Sequence, residues 1–225
     1  MADGRRIIVT GALGALGSAV VALAAARGWR VAGIDRAPAR PDRPETLGGV
    51  DLSDPGAAVA ALAQAAAGLG GGIDALACVA GGFAWETVAD GSPATWERMF
   101  RLNLGVTLAS VRAALPHLAA PGGAIVLVGA GAALRAGAGM GAYAASKAGV
   151  HRLAEALAAE QKDRGVRVNA VLPSIIDTPA NRAEMPQTDH GAWVRPEELA
   201  EVMLFLLSPA ASAITGALLP VSGRV

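Results

Sequence analysis

The sequence is poor in cysteine, histidine and aromatic residues, and each scarcity excludes a class of protein. Its one cysteine, Cys78, excludes an intramolecular disulfide, and one cysteine with three scattered histidines gives no metal-site spacing. Acidic and basic side chains are equal in number, nineteen of each, without a strongly basic block, which argues against nucleic-acid binding. No uninterrupted apolar run approaches the ~20 residues that a membrane helix needs, so we expect a cytoplasmic protein without membrane contact.

The order of apolar segments predicts the fold class. A chain of 225 residues suits one α/β domain, here residues 1–225. Strand-like and helix-like segments alternate without internal repeats, which predicts a single-domain, Rossmann-type, doubly wound parallel sheet with helices on both faces. Strands are expected near residues 6–10, 29–34, 48–51, 74–79, 123–128, 166–172 and 217–221. The irregular segment 180–196 predicts a lid-like substrate loop.

Three spaced glycines follow the first predicted strand. Gly11, Gly14 and Gly17 separate it from an alanine-rich helix, and the second strand ends at Asp35. This order is typical of a dinucleotide-binding unit, in which backbone N–H groups at the helix N-terminus bind a pyrophosphate. Asp35 is placed to accept hydrogen bonds from the ribose 2′-hydroxyl and to repel a 2′-phosphate, which favours NADH over NADPH. The adjacent Arg36 favours the opposite preference.

A tyrosine and a lysine stand four residues apart in GAYAASKAGV, a segment with a helical pattern. Residues at i and i+4 share one helical face, so the Tyr143 phenol and the Lys147 ammonium can converge. A nearby cation favours the phenolate and lowers the pKa of tyrosine from its ordinary value near ~10. The two residues are therefore a candidate acid/base pair.

Several segments together resemble the short-chain dehydrogenase/reductase family. TGALGALG follows the pattern T-G-x-x-x-G-x-G with Ala15 at the middle glycine, and DALACVAGG, VRVNAVLPSIIDTP and ITGALLPVSG resemble later motifs of that family in the same order. Asn103 is similar to its helix asparagine. The resemblance implies a catalytic set of Tyr143, Lys147 and Asn103, with Lys147 also bound to the nicotinamide ribose. It implies cofactor contacts at Gly11, Gly14, Leu16, Gly17, Asp35, Arg36, Asp51, Leu52, Ala80, Gly81, Lys147, Pro173, Ile176 and Thr178.

One departure from that family concerns the substrate oxygen. Ala130 occupies the position, 13 residues before Tyr143, where the family has a serine that holds the carbonyl oxygen. A donor aimed at developing oxyanion charge is typically worth ~10²–10³ in rate. The quinonoid dihydropteridine reductase branch also lacks this serine, and segments such as GMGAYAASKAGVHRL and DTPANRAEMP resemble that branch. The resemblance implies a flat heterocyclic substrate. The best candidates for its contacts are Phe83, Trp85, Met140, Met185 and Trp193, because Phe83 and Trp85 follow a predicted cofactor turn, Trp193 lies in the predicted lid, and aromatic side chains suit a flat ring.

Three functions follow from these patterns. The first is NADH-dependent reduction of a quinonoid dihydropterin or a similar electron-deficient heterocycle. The second is a generic carbonyl or alcohol oxidoreductase in which water or Asn103 replaces the serine. The third is a non-catalytic NAD-binding sensor or assembly subunit. The apolar helical stretches 95–118 and 141–161 predict a homodimer or homotetramer, as the family resemblance implies.

Overall fold

The fold is built on a single parallel sheet. In the computed structural model, which describes residues 4–225, seven strands hydrogen-bond in the order β3-β2-β1-β4-β5-β6-β7. The strands are β1 (Arg6–Thr10), β2 (Arg30–Ile34), β3 (Thr46–Leu47), β4 (Ala75–Cys78), β5 (Ala124–Val128), β6 (Arg167–Pro173) and β7 (Leu218–Val221). All six strand pairings are parallel. The predicted doubly wound sheet is confirmed.

Helices cover both faces of the sheet, which explains why the central strands are apolar throughout. They are α1 (Ala15–Ala26), α2 (Pro55–Gly68), α3 (Pro93–Met99), α4 (Val106–Ala114), α5 (Gly141–Gln161), α6 (Pro179–Glu184) and α7 (Pro196–Leu207). Every residue of β4 and β5 is buried. Successive side chains in β1 alternate between the faces: Ile7 and Val9 pack on the α1 and α7 side, and Ile8 packs on the side of α2, α4 and α5.

The helix starts follow local chemistry. Asp54, Ser92 and Thr178 accept hydrogen bonds from N–H groups in the first turns of α2, α3 and α6, and a proline begins each of these helices. A π-helical segment, Phe100–Gly105, joins α3 to α4. Within residues 4–225, no helix combines the length and the apolar character required to cross a membrane.

Two predicted elements differ from the structure. The strand expected at 48–51 is shorter and earlier, Thr46–Leu47, because Gly49 adopts a left-handed conformation with φ of 75° that ends the extended run. Segment 180–196 is less irregular than predicted. It contains most of α6 and a short 3₁₀ turn, His190–Ala192, because the cap at Thr178 and the proline after it start a helix.

Candidate active site

A cleft of about 530 Å³ lies at the carboxyl ends of the strands, where the strand order reverses between β1 and β4. Ligands of doubly wound sheets bind at this switch point. Eleven of the fourteen predicted cofactor contacts line the cleft: Gly11, Gly14, Leu16, Gly17, Asp35, Arg36, Asp51, Leu52, Ala80, Gly81 and Thr178. Sequence reasoning missed other lining residues, which are mostly apolar neighbours of these positions: Leu13, Ala15, Ala37, Val50, Val79, Gly82, Leu102 and Val106.

The glycine turn of this cleft has the shape that a pyrophosphate needs. Gly11 has φ of 68°, and a Cβ there would lie 2.8 Å from the backbone nitrogen of Ala80. A Cβ on Gly17 would overlap the carbonyl oxygen of Gly11. No side chain caps α1, whose N-cap is Gly14, and its first turn holds no acidic residue. Because the first N–H groups of a helix lack intrahelical partners, they are free to bind an anionic group, so this turn fits a dinucleotide.

The Asp35 carboxylate has structural partners as well as a place in the cleft. It accepts hydrogen bonds from the N–H groups of Leu13 and Ala37, each at 2.8 Å. These bonds tie the glycine turn to the end of β2. Each carboxylate oxygen can accept more than one bond, so Asp35 retains capacity for sugar hydroxyls. Arg36 also lines the cleft and is exposed.

Three of the predicted cofactor contacts lie outside the lining of the cleft. Pro173 is buried at the end of β6. Ile176 packs on the α7 side of the core and pairs with Val194 in an isolated bridge. Lys147 is close to the lining, because its Nζ lies 3.4 Å from the position that a Cβ on Gly81 would take.

Tyr143 and Lys147 both lie on α5 beside the segment that lines the cleft. The Tyr143 ring meets the Phe83 ring edge to face, with centroids 5.0 Å apart, and Phe83 directly follows Gly82 of the cleft wall. The Lys147 Nζ donates a hydrogen bond to the Val128 carbonyl at 2.8 Å. The predicted pair therefore lies close to the wall of the cleft, near Gly81 and Phe83.

The pKa values of this pair differ from the expectation. Burial raises the pKa of Tyr143 to about 12 and lowers that of Lys147 to about 8. The prediction that the ammonium depresses the tyrosine pKa is wrong for this structure, because loss of water around the phenol dominates and the Lys147 ammonium is bonded to a backbone carbonyl instead.

Asn103, predicted as a catalytic residue, has a side chain whose hydrogen bonds join two parts of the site. It is fully buried in the π-helical segment, where its amide accepts from the Gly82 N–H at 2.9 Å and donates to the Gly82 carbonyl at 3.1 Å. The same amide nitrogen donates to the Ser146 hydroxyl on α5 at 2.9 Å. Asn103 thus joins the cleft wall to the helix that carries Tyr143 and Lys147, and its amide is not free to replace the missing serine.

Ala130, at the position of that serine, is buried and contributes no hydroxyl. It follows β5 in an extended conformation, and its N–H donates to Nε2 of His151 at 3.3 Å. A short 3₁₀ turn, Gly131–Ala133, comes next. The segment after β5 therefore offers no side-chain hydroxyl at position 130.

The predicted substrate residues separate into two groups. Phe83 touches Tyr143, Trp85 packs against Gly139 so closely that a Cβ there would overlap its indole, and Met140 is the N-cap of α5. Trp96, which sequence reasoning missed, lies near Gly141, the first residue of α5. Its position in the helix before Asn103 does not by itself indicate in the sequence that it lies near the site. Together Phe83, Trp85, Trp96 and Met140 surround the N-terminal end of α5.

Met185 and Trp193 belong to a different region. Trp193 is only 4% exposed and stacks with His190, whose Nε2 lies 2.9 Å from the Met185 carbonyl oxygen. Trp193 lines a second cavity, of about 690 Å³, with Arg182 and Arg224. The structure therefore does not place Trp193 with the aromatic residues at the N-terminal end of α5, because its side chain lines this second cavity beside His190.

Comparisons with known proteins agree with this geometry. The protein family described as Enoyl-(Acyl carrier protein) reductase matches residues 11–223. Galactitol 2-dehydrogenase (L-tagatose-forming) of Cereibacter sphaeroides is 36% identical, with 98% of this chain and 94% of the relative covered. Cis-4-hydroxycyclohexanecarboxylate dehydrogenase of Sinomonas cyclohexanicum is 36% identical, with 97% and 95% covered. A crystal structure from Brucella melitensis, titled short-chain dehydrogenase/reductase SDR:Glucose/ribitol dehydrogenase, has a TM-score of 0.88 at 30% identity and covers 98% and 96% of the two chains.

Proposed function

This chain belongs to the short-chain dehydrogenase/reductase family, and we propose that it interconverts an alcohol and a carbonyl group on a small, uncharged, ring-shaped molecule. The observation that carries the proposal is the position of Tyr143 and Lys147 on one face of α5, beside the cleft that fits a dinucleotide. A bound nicotinamide dinucleotide supplies or accepts the hydride. The relatives are dehydrogenases of alcohols, which favours this second sequence-based hypothesis over reduction of a dihydropterin.

Tyr143 and Lys147 provide the proton transfer that accompanies hydride transfer. With a pKa raised to about 12, Tyr143 holds its proton at neutral pH and is ready to donate it to the oxygen that becomes a hydroxyl. Lys147, with a pKa near 8, is mostly charged at pH 7 and held by the Val128 carbonyl. At neutral pH the phenol is therefore in the form that donates a proton during carbonyl reduction, whereas alcohol oxidation requires it to accept one as the phenolate.

The substrate class follows from the side chains around the N-terminal end of α5, of which Phe83 contacts Tyr143. Phe83, Trp85, Trp96 and Met140 carry no charge, and Ala130 adds only a methyl group. A linear polyol needs several hydrogen-bonding partners to offset the loss of water around its hydroxyls. Aromatic walls instead suit a ring with one reacting oxygen. We therefore expect cyclic alcohols and ketones to be better substrates than linear polyols.

A second candidate is reduction of a quinonoid dihydropterin or another electron-deficient heterocycle. The specific observation in its favour is the buried methyl group of Ala130, together with an Asn103 amide that is fully engaged elsewhere. A conjugated quinonoid ring accepts electrons readily and needs less polarisation of a carbonyl. The same aromatic side chains suit its flat shape.

Steady-state turnover with a panel of substrates tests both candidates. The panel contains cyclohexanone and cyclohexanol derivatives, linear polyols and chemically generated quinonoid dihydropterin, each with NAD(H) and NADP(H). The main proposal expects kcat/KM to be highest for the cyclic ketones, and it is contradicted if the dihydropterin alone turns over. Tyr143→Phe should lower kcat by ~10²–10⁴ on any substrate, since it removes the proton donor. Measurable dinucleotide binding with no turnover on the whole panel would instead support the non-catalytic sensor.

Ala130→Ser separates the two enzymatic candidates. A hydroxyl at this position adds a donor for a developing oxyanion, so a ketone reductase should gain activity, by up to ~10². A reductase of quinonoid rings should gain nothing. Ala132→Ser, two residues further on in the 3₁₀ turn, is the matched control for a new hydroxyl in this segment.

For the cofactor, we propose NADH rather than NADPH, on the basis of the Asp35 carboxylate in the cleft. Its negative charge disfavours a 2′-phosphate. The ratio of kcat/KM for NADH and NADPH measures the preference, and equal values would contradict the assignment. Arg36→Ala should strengthen the preference for NADH, because it removes the neighbouring positive charge.

A further inference from the structure

Two buried side chains of α5 hold the end of β5. Lys147 and His151 are four residues apart on one face of the helix, and both are nearly inaccessible to solvent. The Lys147 Nζ donates to the Val128 carbonyl at 2.8 Å, and the His151 Nε2 accepts from the Ala130 N–H at 3.3 Å. The backbone on either side of Gly129 is therefore fixed to the helix at two points.

Gly129, between these two points, makes the contact with His151 possible. A Cβ on Gly129 would overlap the His151 imidazole at Nε2. Its own N–H continues the sheet by donating to the Val171 carbonyl at 2.9 Å. The imidazole therefore occupies the space where any other residue at position 129 would place a side chain, and the backbone and the ring are in direct contact.

This contact defines the protonation state of His151. A backbone amide can only donate, so Nε2 must carry a lone pair and the ring must be neutral. Burial is the main cause that lowers the pKa of His151, and the charges of Arg152 and Lys147 lower it further, while Glu155 opposes them. These charged groups all lie on α5, and the β5 side presents the uncharged Gly129 and Ala130. A protonated ring would set two donors against each other.

We infer that neutral His151 is a positioning residue for the reaction, because through the Ala130 N–H it fixes the backbone that carries the Val128 carbonyl, the acceptor of Lys147. The inference rests on the proposed function of Tyr143 and Lys147. The backbone from Val128 to Ala130 reaches the acid/base pair through the Val128 carbonyl, which accepts the hydrogen bond of Lys147. When the imidazole takes up a proton, the Ala130 amide loses its hydrogen-bond acceptor. The backbone that carries the Val128 carbonyl is then held less firmly, and so is the Lys147 ammonium bonded to it.

Two substitutions at position 151 test the inference by activity. His151→Gln keeps an acceptor oxygen and does not titrate near neutral pH. His151→Leu removes the acceptor and leaves a buried donor unpaired. In the wild type, kcat should hold at the ordinary histidine pKa of ~6.5 and fall only in more acidic solution, because burial lowers the pKa of His151. His151→Gln should keep kcat within roughly threefold at pH 7 and lose that acid decline, while His151→Leu should lower kcat roughly tenfold. The KM for the dinucleotide should stay within about twofold in His151→Gln and rise in His151→Leu, because there the Lys147 ammonium, expected to hold the nicotinamide ribose, loses its fixed position.

If kcat of the His151→Gln variant still falls in acidic solution, the inference is overturned. An unchanged kcat in a folded His151→Leu variant would also overturn it. Hydrogen exchange of the Ala130 amide, followed by NMR, gives a readout that needs no substrate. The amide should be protected at pH 7 in the wild type and in His151→Gln, and should lose protection in His151→Leu and in the acidified wild type. Equal protection of the Ala130 amide from exchange in all samples would contradict the inference, even if the enzyme is active. Absence of turnover on every substrate removes the proposed function, while the exchange data still decide whether His151 fixes this backbone.

Discussion

Tyr143 is the only tyrosine in the chain, so its ionisation can be observed without interference from another phenol. Burial raises its pKa to about 12. Ultraviolet titration should therefore show no phenolate signal until the solution is strongly alkaline, and the Tyr143→Phe variant should show none at any pH. A phenolate that forms below pH ~10, the ordinary value for tyrosine, would mean that the Lys147 ammonium, and not desolvation, controls the phenol in the free protein.

Lys147 makes the stability of the protein depend on pH. Its pKa is about 8 in the folded state and 10.5 ordinarily, so below pH 8 both states carry the proton and the folded state bears the full cost of the buried charge. Between these two values the unfolded state binds more protons, so the free energy of unfolding rises with pH, by at most about 3 kcal/mol. Above 10.5 the contribution is constant.

Urea unfolding from pH 7.5 to 10.5 measures this contribution, with Lys147→Met as the reference. The wild type should gain stability relative to the variant across that window. A constant difference between the two proteins would show that the buried ammonium keeps an ordinary pKa. The only other lysine, Lys162, lies just after α5 and is exposed, so Lys162→Met should follow the wild type.

At the scale of elements, the glycine turn between β1 and α1 depends on close backbone contact. Gly17→Ala forces a methyl group into the carbonyl of Gly11, which cannot move without breaking the turn. We expect a loss of roughly 1–3 kcal/mol in the free energy of unfolding, together with loss of dinucleotide binding.

Gly68, at the end of α2, is the matched control for this substitution. A Cβ there would meet no atom within 4 Å, so Gly68→Ala should stabilise the helix by up to ~1 kcal/mol and leave dinucleotide binding unchanged. Thermal unfolding and binding titrations measure both effects. Equal stability and equal dinucleotide binding in the two variants would show that the turn tolerates a side chain at Gly17, which would contradict the prediction.

At the scale of the whole molecule, we predict that the protein is a homodimer or homotetramer. Leu108 is a large apolar side chain of α4 with 39% of its surface exposed in the single chain, and it lies within the stretch 95–118. Light scattering at micromolar concentration should give a mass of two or four chains. Leu108→Glu should shift the mass toward a single chain, because burial of a carboxylate at an interface is costly.

Val59 on α2 provides the control for this experiment. It is 59% exposed and lies outside both predicted interface stretches, so Val59→Glu should leave the mass unchanged. A wild-type protein that scatters as a single chain would contradict the prediction. If Val59→Glu also lost assembly, the assignment of the interface to α4 and α5 alone would be contradicted.

The sequence by itself determined the fold class, most strand positions and most of the residues that line the cleft at the switch point. These features rest on local patterns. Glycines mark turns that a side chain would block, as at Gly11 and Gly17, and apolar runs such as Ala124–Val128 mark strands buried on both faces. The i and i+4 spacing of Tyr143 and Lys147 also fixed their shared face before any tertiary contact was known.

Only the tertiary structure decided how these residues are tuned. The pKa of Tyr143 depends on how much water surrounds the phenol, and the role of Asn103 depends on Gly82 and Ser146, which lie 21 and 43 positions away in the chain. Which elements pack together also decides that Trp193 lies apart from Phe83 and Trp85. It likewise decides that His151 contacts the Ala130 backbone. Desolvation and hydrogen bonding act between neighbours in space, and a linear pattern does not specify which distant residues become neighbours.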